Sequence, residues 1–82
     1  MKRLSMELGN MTLRAFEDNG RFWYDVDVVA LAIDMPEQWV FEFIYKHGLD
    51  SRLITYYGYG YETMDSDGLA MLISLLPRTS AL

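Results

Sequence analysis

The chain has no cysteine, so it forms no disulfide and offers no thiolate to a metal. It has a single histidine, His47, and no second imidazole to share a transition-metal ion. Cations are scarce: seven lysines and arginines stand against twelve aspartates and glutamates, for a net charge of −5. The seven (Lys2, Arg3, Arg14, Arg21, Lys46, Arg52 and Arg78) are scattered, with no basic run. Affinity for DNA rests largely on neutralised phosphates, so general DNA binding is not expected of this composition. No stretch approaches the ~20 consecutive apolar residues of a membrane span. Met1-Lys2-Arg3 starts as a signal peptide would, but Glu7, Gly9 and Asn10 interrupt it too soon.

Motifs of catalysis are also missing. Gly58-Tyr59-Gly60 is not followed by the helix that a phosphate-cradling loop needs. The serines fall in no nucleophile-elbow pattern. Asp65-Ser66-Asp67-Gly68 resembles the start of a calcium loop but lacks its later ligands and terminal glutamate, and helix capping explains it better. The expectation is therefore a protein that is not an enzyme, with no catalytic residue, no metal and no cofactor.

What is present is a globular composition. Half of the 82 residues are hydrophobic and 15% are aromatic, too many for a disordered chain. One domain spanning 1–82 is expected, with a modest core. No internal repeat, linker or low-complexity segment stands out. The clearest local signal is Asn19-Gly20, since both central residues of a type I′ turn need positive φ. That turn sets a register: Asp18 faces Arg21, Phe16 faces Trp23, and Arg14 faces Asp25 on one side of a hairpin. Leu13 with Val26, Ala15 with Tyr24, and Glu17 with Phe22 share the other side. This second side is mostly apolar and is expected to lie on the core.

Residues 3–8 and 11–16 alternate weakly and are expected to pair around Gly9-Asn10. Asp25 or Asp27 caps a short helix, Val28 to Ile33. Pro36 and Glu37 open a second helix, which runs to about His47 and stops at Gly48. Leu53 to Met64 reads as a second hairpin around Gly58 and Gly60. Asp65 or Ser66 caps a last helix, Asp67 to Leu76, ended by Pro77 and followed by a short tail, Arg78 to Leu82. The fold class is α+β: an N-terminal hairpin or meander, two helices, a second hairpin and a C-terminal helix.

On the second helix, Val40, Phe43, Ile44 and His47 form the expected core stripe, with Trp39 at its edge. Phe41 and Tyr45 lie off that stripe, beside Glu37, Gln38 and Glu42. Five of six tyrosines fall between positions 45 and 61. Tyrosine is a common anchor at binding surfaces and also an ordinary strand former. The candidate partner-binding residues are Phe41, Glu42, Tyr45, Tyr57, Tyr59 and Tyr61. The candidate nucleic-acid residues are Arg14, Arg21, Lys46 and Arg52, which would have to converge on one face. His47, near a helix C-terminus, reads as structural or capping.

Two resemblances bear on function. Arg14, Asn19-Gly20, Phe22-Trp23 and Asp27-Val28 fall in the order of the N-terminal domain of Bro proteins, shared by DNA-virus Bro proteins and phage antirepressors. Ser66-Asp67-Gly68-Leu69, then Leu72-Ile73, Pro77 and Ala81, is similar to the family's closing block. The leucine-glycine that usually closes the first family helix is replaced by Ala32-Ile33, and the basic residues usual between the blocks are mostly missing. This resemblance implies a small phage or prophage regulator in the cytoplasm of a bacterial host. It would act by protein–protein contact on a repressor or host transcription factor, with a homodimer as a further expectation. Separately, Val26 to Leu49 followed by a hairpin resembles winged-helix domains of the excisionase and MerR type. That resemblance implies sequence-specific DNA binding, with Pro36 to Gly48 as recognition helix. Gln38, Glu37, Glu42 and Lys46 are a poor set of base readers for such a helix.

Overall fold

The computed structural model describes residues 1–76. The expected tail, Arg78 to Leu82, and the helix stop at Pro77 lie outside them. The chain forms β1 (Lys2–Leu8), β2 (Met11–Asp18), β3 (Arg21–Asp25), α1 (Val26–Ile33), α2 (Glu37–Lys46), β4 (Ser51–Tyr56), β5 (Tyr59–Asp65) and α3 (Ser66–Leu75). This is the α+β order expected from the sequence. The five strands make one antiparallel sheet in the order β1-β2-β3-β5-β4.

Three two-residue loops join neighbouring strands, and the β2–β3 and β4–β5 loops share one turn type. Asn19 and Gly20 have φ of 53° and 79°, and Tyr57 and Gly58 have 51° and 83°. Two successive left-handed residues identify type I′ turns. The first pairs Asp18 with Arg21, Phe16 with Trp23 and Ala15 with Tyr24, as expected. The expected Leu13–Val26 pair does not form, because Val26 has already turned into α1. The second turn is centred on Tyr57-Gly58 rather than spread across Gly58 and Gly60. It therefore places Tyr56 opposite Tyr59 and Ile54 opposite Tyr61. Tyr56, Tyr59 and Tyr61 share a sheet face, and Tyr57 belongs to the turn.

Aspartates start two of the helices. The Asp25 carboxylate accepts from the Asp27 N–H at 3.1 Å, so α1 begins two residues earlier than expected. The Asp65 carboxylate accepts from the Gly68 N–H at 2.8 Å. Helix α2 instead enters from Pro36, which has no N–H to leave unpaired. Its C-cap is His47, which is exposed rather than on the core stripe, with its ring tilted 4.4 Å from Phe43.

The three helices cover one face of the sheet. Leu13, Ala15, Tyr24 and Met64 meet Val26, Val29, Val40, Phe43, Ile44, Leu69 and Leu72 there, in the main core. The opposite face carries no helix, yet it holds a second core of Phe16, Trp23 and Ile54, flanked by Tyr56 and Tyr61. The first hairpin thus buries both of its faces.

The register also reveals a relationship hidden in the sequence. β3 and β5 lie side by side with Tyr24 opposite Met64, Trp23 opposite Asp65 and Asp25 opposite Thr63. A two-fold axis through the Tyr24–Met64 rung exchanges Asp25 with Asp65. Each half is a type I′ hairpin, a capping aspartate and a helix. Asp25-Val26-Asp27 answers Asp65-Ser66-Asp67, Ala30 answers Ala70, and Ile33 answers Ile73. So few shared residues do not register as a repeat in sequence.

Candidate functional site

The six candidate partner residues fall in three environments. Tyr45, on α2, is 90% exposed, and Glu42 beside it is exposed as well. Tyr57 and Tyr59, at the tip of the β4–β5 hairpin, are 86% and 70% exposed. Phe41 is half-buried against the main core and Tyr61 is half-buried against the second. Phe41 and Tyr61 are therefore packing residues at least as much as surface. Sequence alone could not separate them from their neighbours, because α2 presents aromatic residues on both sides and the sheet carries a core on each face.

The exposed tyrosines lie at opposite ends of β4. Tyr45 borders a shallow groove with Phe41, Ile44 and Leu49 where β4 begins, and Tyr57 and Tyr59 lie where it ends. The strand between them is about 20 Å long at ~3.3 Å per residue. β4 is an edge strand, and among the described residues β5 is the only element packed extensively against it. Leu53 in its middle is 61% exposed. Groove, bare edge and tyrosine tip form one continuous flank. Leu53 was not singled out in the sequence, where an edge position cannot be told from an interior one.

Three of the four candidate nucleic-acid residues do converge. The register puts Arg14, Arg21 and Arg52 on the helix-free face, while Lys46 ends α2 in the helical layer. Each arginine is matched to carboxylates. Arg14 bonds Asp25 at 2.7 Å, and Arg52 bonds Asp18 at 2.9 Å. Arg21 bonds Asp50 and Asp65, each at 2.9 Å. The expected facing of Asp18 and Arg21 thus holds in the backbone, but their charges pair elsewhere. The hydrogen bond that Arg21 donates to Asp50, above all, raises the Arg21 pKa; desolvation opposes this and Asp65 adds to it. The guanidinium groups also lie over rings: Arg14 over Tyr61 at 5.0 Å, and Arg21 and Arg52 over Trp23 at 4.5 and 5.3 Å. Three cations among four carboxylates leave this face no excess of positive charge for a polyanion.

No family model, curated protein or solved structure matches this chain. Function must be read from the surface itself. Among the described residues no group of three or more His, Asp or Glu side chains converges as a metal site, and no helix is long and apolar enough to cross a membrane. One acidic contact joins α1 to α2. A hydrogen bond with Asp27, aided by partial desolvation and by the Asp27 charge, raises Glu37 above its ordinary pKa of 4.5.

Proposed function

We propose that this chain is a small regulator of phage or prophage type that works in the bacterial cytoplasm by protein–protein contact. It modulates a repressor or another transcription factor in the manner of an antirepressor. The observation that carries this reading is the β4 flank, where Tyr45, Leu53, Tyr57 and Tyr59 are all strongly exposed along one edge of the sheet. Rigid aromatic side chains with polar tips are favoured anchors of protein interfaces. The resemblance of the first hairpin and the last helix to Bro-type domains supplies the regulatory context. The acidic surface suits a partner with basic character.

The test is capture from a bacterial lysate. Immobilised protein is expected to retain a specific partner. Substituting Tyr45, Tyr57 and Tyr59 with alanine is expected to abolish retention while the circular dichroism spectrum stays unchanged. Equal retention by the substituted protein refutes the surface.

Sequence-specific DNA binding is the second reading, favoured by Arg14, Arg21 and Arg52 sharing one face. Against it stand their carboxylate partners. The β4–β5 hairpin also extends the main sheet as its margin, with β5 paired to β3, and so does not project as a separate wing. A gel-shift titration across salt decides: binding that falls steeply with salt supports this reading, and none at low salt eliminates it.

A further inference from the structure

The flank of β4 raises the question of what first covers it, and the geometry points to a second copy of this chain. This inference rests on the protein-contact reading above and names the occupant.

A strand edge is a template for another strand unless charge, proline or a bulge guards it. The sheet has two edges. β1 is guarded by exposed Lys2, Arg3 and Glu7. β4 carries one charge, Arg52, and that is bound to Asp18 on the helix-free face. The Asp65 N–H donates to the Asp50 carbonyl at 3.3 Å. Antiparallel alternation then turns the backbone groups of Arg52, Ile54 and Tyr56 toward β5, and those of Ser51, Leu53 and Thr55 toward the open edge.

We propose that two copies join β4 to β4, antiparallel and centred on Leu53. In that register Leu53 faces the partner's Leu53, and Ser51 faces the partner's Thr55. Three such rungs exchange about six backbone hydrogen bonds. Arg52 faces the partner's Ile54, so no like charges meet. Two residues beyond Thr55, Tyr57 comes level with the partner's Leu49, which lines the groove beside Phe41, Ile44 and Tyr45. The two ends of the flank, about 20 Å apart in one copy, thus become knob and groove of one interface. The same contact occurs twice, as a two-fold dimer requires. The assembled sheet has ten strands.

Sedimentation equilibrium over a concentration series tests this. The wild-type chain is expected at twice its 9.6 kDa mass. Thr55→Pro removes an outward N–H without touching the bonds to β5, and Leu53→Lys places two ammonium groups face to face. Each is expected to weaken the dimer at least about tenfold, and Leu53→Lys leaves the fold measurable should the proline variant fail to fold. Met6→Lys, on the guarded β1 edge, is expected to leave the mass unchanged. A wild-type chain that is monomeric at every concentration overturns the pairing, as does a dimer that neither β4 substitution loosens. A monomer that still captures a bacterial protein through its tyrosines overturns the dimer and leaves the regulatory reading standing. A dimer sensitive to both substitutions that captures nothing supports the pairing and refutes that reading.

Discussion

Replacing Asp65 separates two roles that one carboxylate plays. One oxygen accepts from the Gly68 N–H at 2.8 Å and caps α3; the other accepts from Arg21 at 2.9 Å. Losing a capping side chain costs about 1 kcal/mol. The Gly68 N–H is also buried, so leaving it without an acceptor brings the cost to about 2–3 kcal/mol. The ion pair is worth less. The Arg21 side chain is half exposed and keeps Asp50, so solvent screens the loss of one partner and its cost is small beside the cap. Asp65→Ala is therefore expected to lose about 2–3 kcal/mol in urea denaturation. Asp65→Asn keeps an oxygen for the cap and is expected to lose only the small share of the ion pair, well short of the alanine variant. Arg21→Ala should resemble the asparagine variant. Equal losses for alanine and asparagine would refute the assignment of the stability to the cap.

Three further outcomes are expected. Phe16→Ala, beneath the helix-free face, costs about 3–5 kcal/mol, as a fully buried ring does; a loss under ~1 kcal/mol in the same denaturation would show that no second core exists there. Gly68→Ala destabilises the protein despite alanine's better helix propensity. A Cβ there meets the capping oxygen of Asp65 at 3.0 Å and Leu49 at 3.4 Å, and a gain in melting temperature would contradict this. The Asp27–Glu37 contact is expected to stabilise the fold below the ordinary glutamate pKa and to lose that contribution as pH rises through the raised folded value. Carboxyl NMR of Asp27→Ala should find Glu37 titrating lower than in the wild type, and an unmoved titration would remove Asp27 as the cause.

Much of the fold was legible because its signals are local. Asn19-Gly20 specified a turn that fixes its own register. Asp25, Pro36, Gly48 and Asp65 each mark a helix end by a hydrogen-bonding or φ preference that acts within a few residues. What escaped were properties set by neighbours distant in sequence. Phe16 and Trp23 are buried because Ile54, Tyr56 and Tyr61 arrive from the other hairpin. Arg21 finds Asp50 and Asp65 in preference to the facing Asp18, through a strand order that no local pattern encodes. Of the proposed contact residues, Tyr45, Tyr57 and Tyr59 were legible as surplus aromatics. Phe41 and Tyr61 were indistinguishable from them until the layers were assembled. Leu53 acquired meaning only when β4 proved to be an edge.

The paired β3 and β5 are the seam of the molecule. Each half, a hairpin with its helix, is built from contacts close along the chain, and such parts form quickly. The seam joins residues about forty positions apart, so closing it is the slow, entropically costly event. When the chain breathes, the halves separate there first, and the amides of Tyr24 and Met64, the rung whose backbone groups face each other across the seam, should exchange with solvent together. An opened molecule presents a half that resembles the one it has just lost. It can reclose on its own partner half or on the matching half of a neighbour, which makes exchange of halves between molecules the characteristic folding error of this architecture.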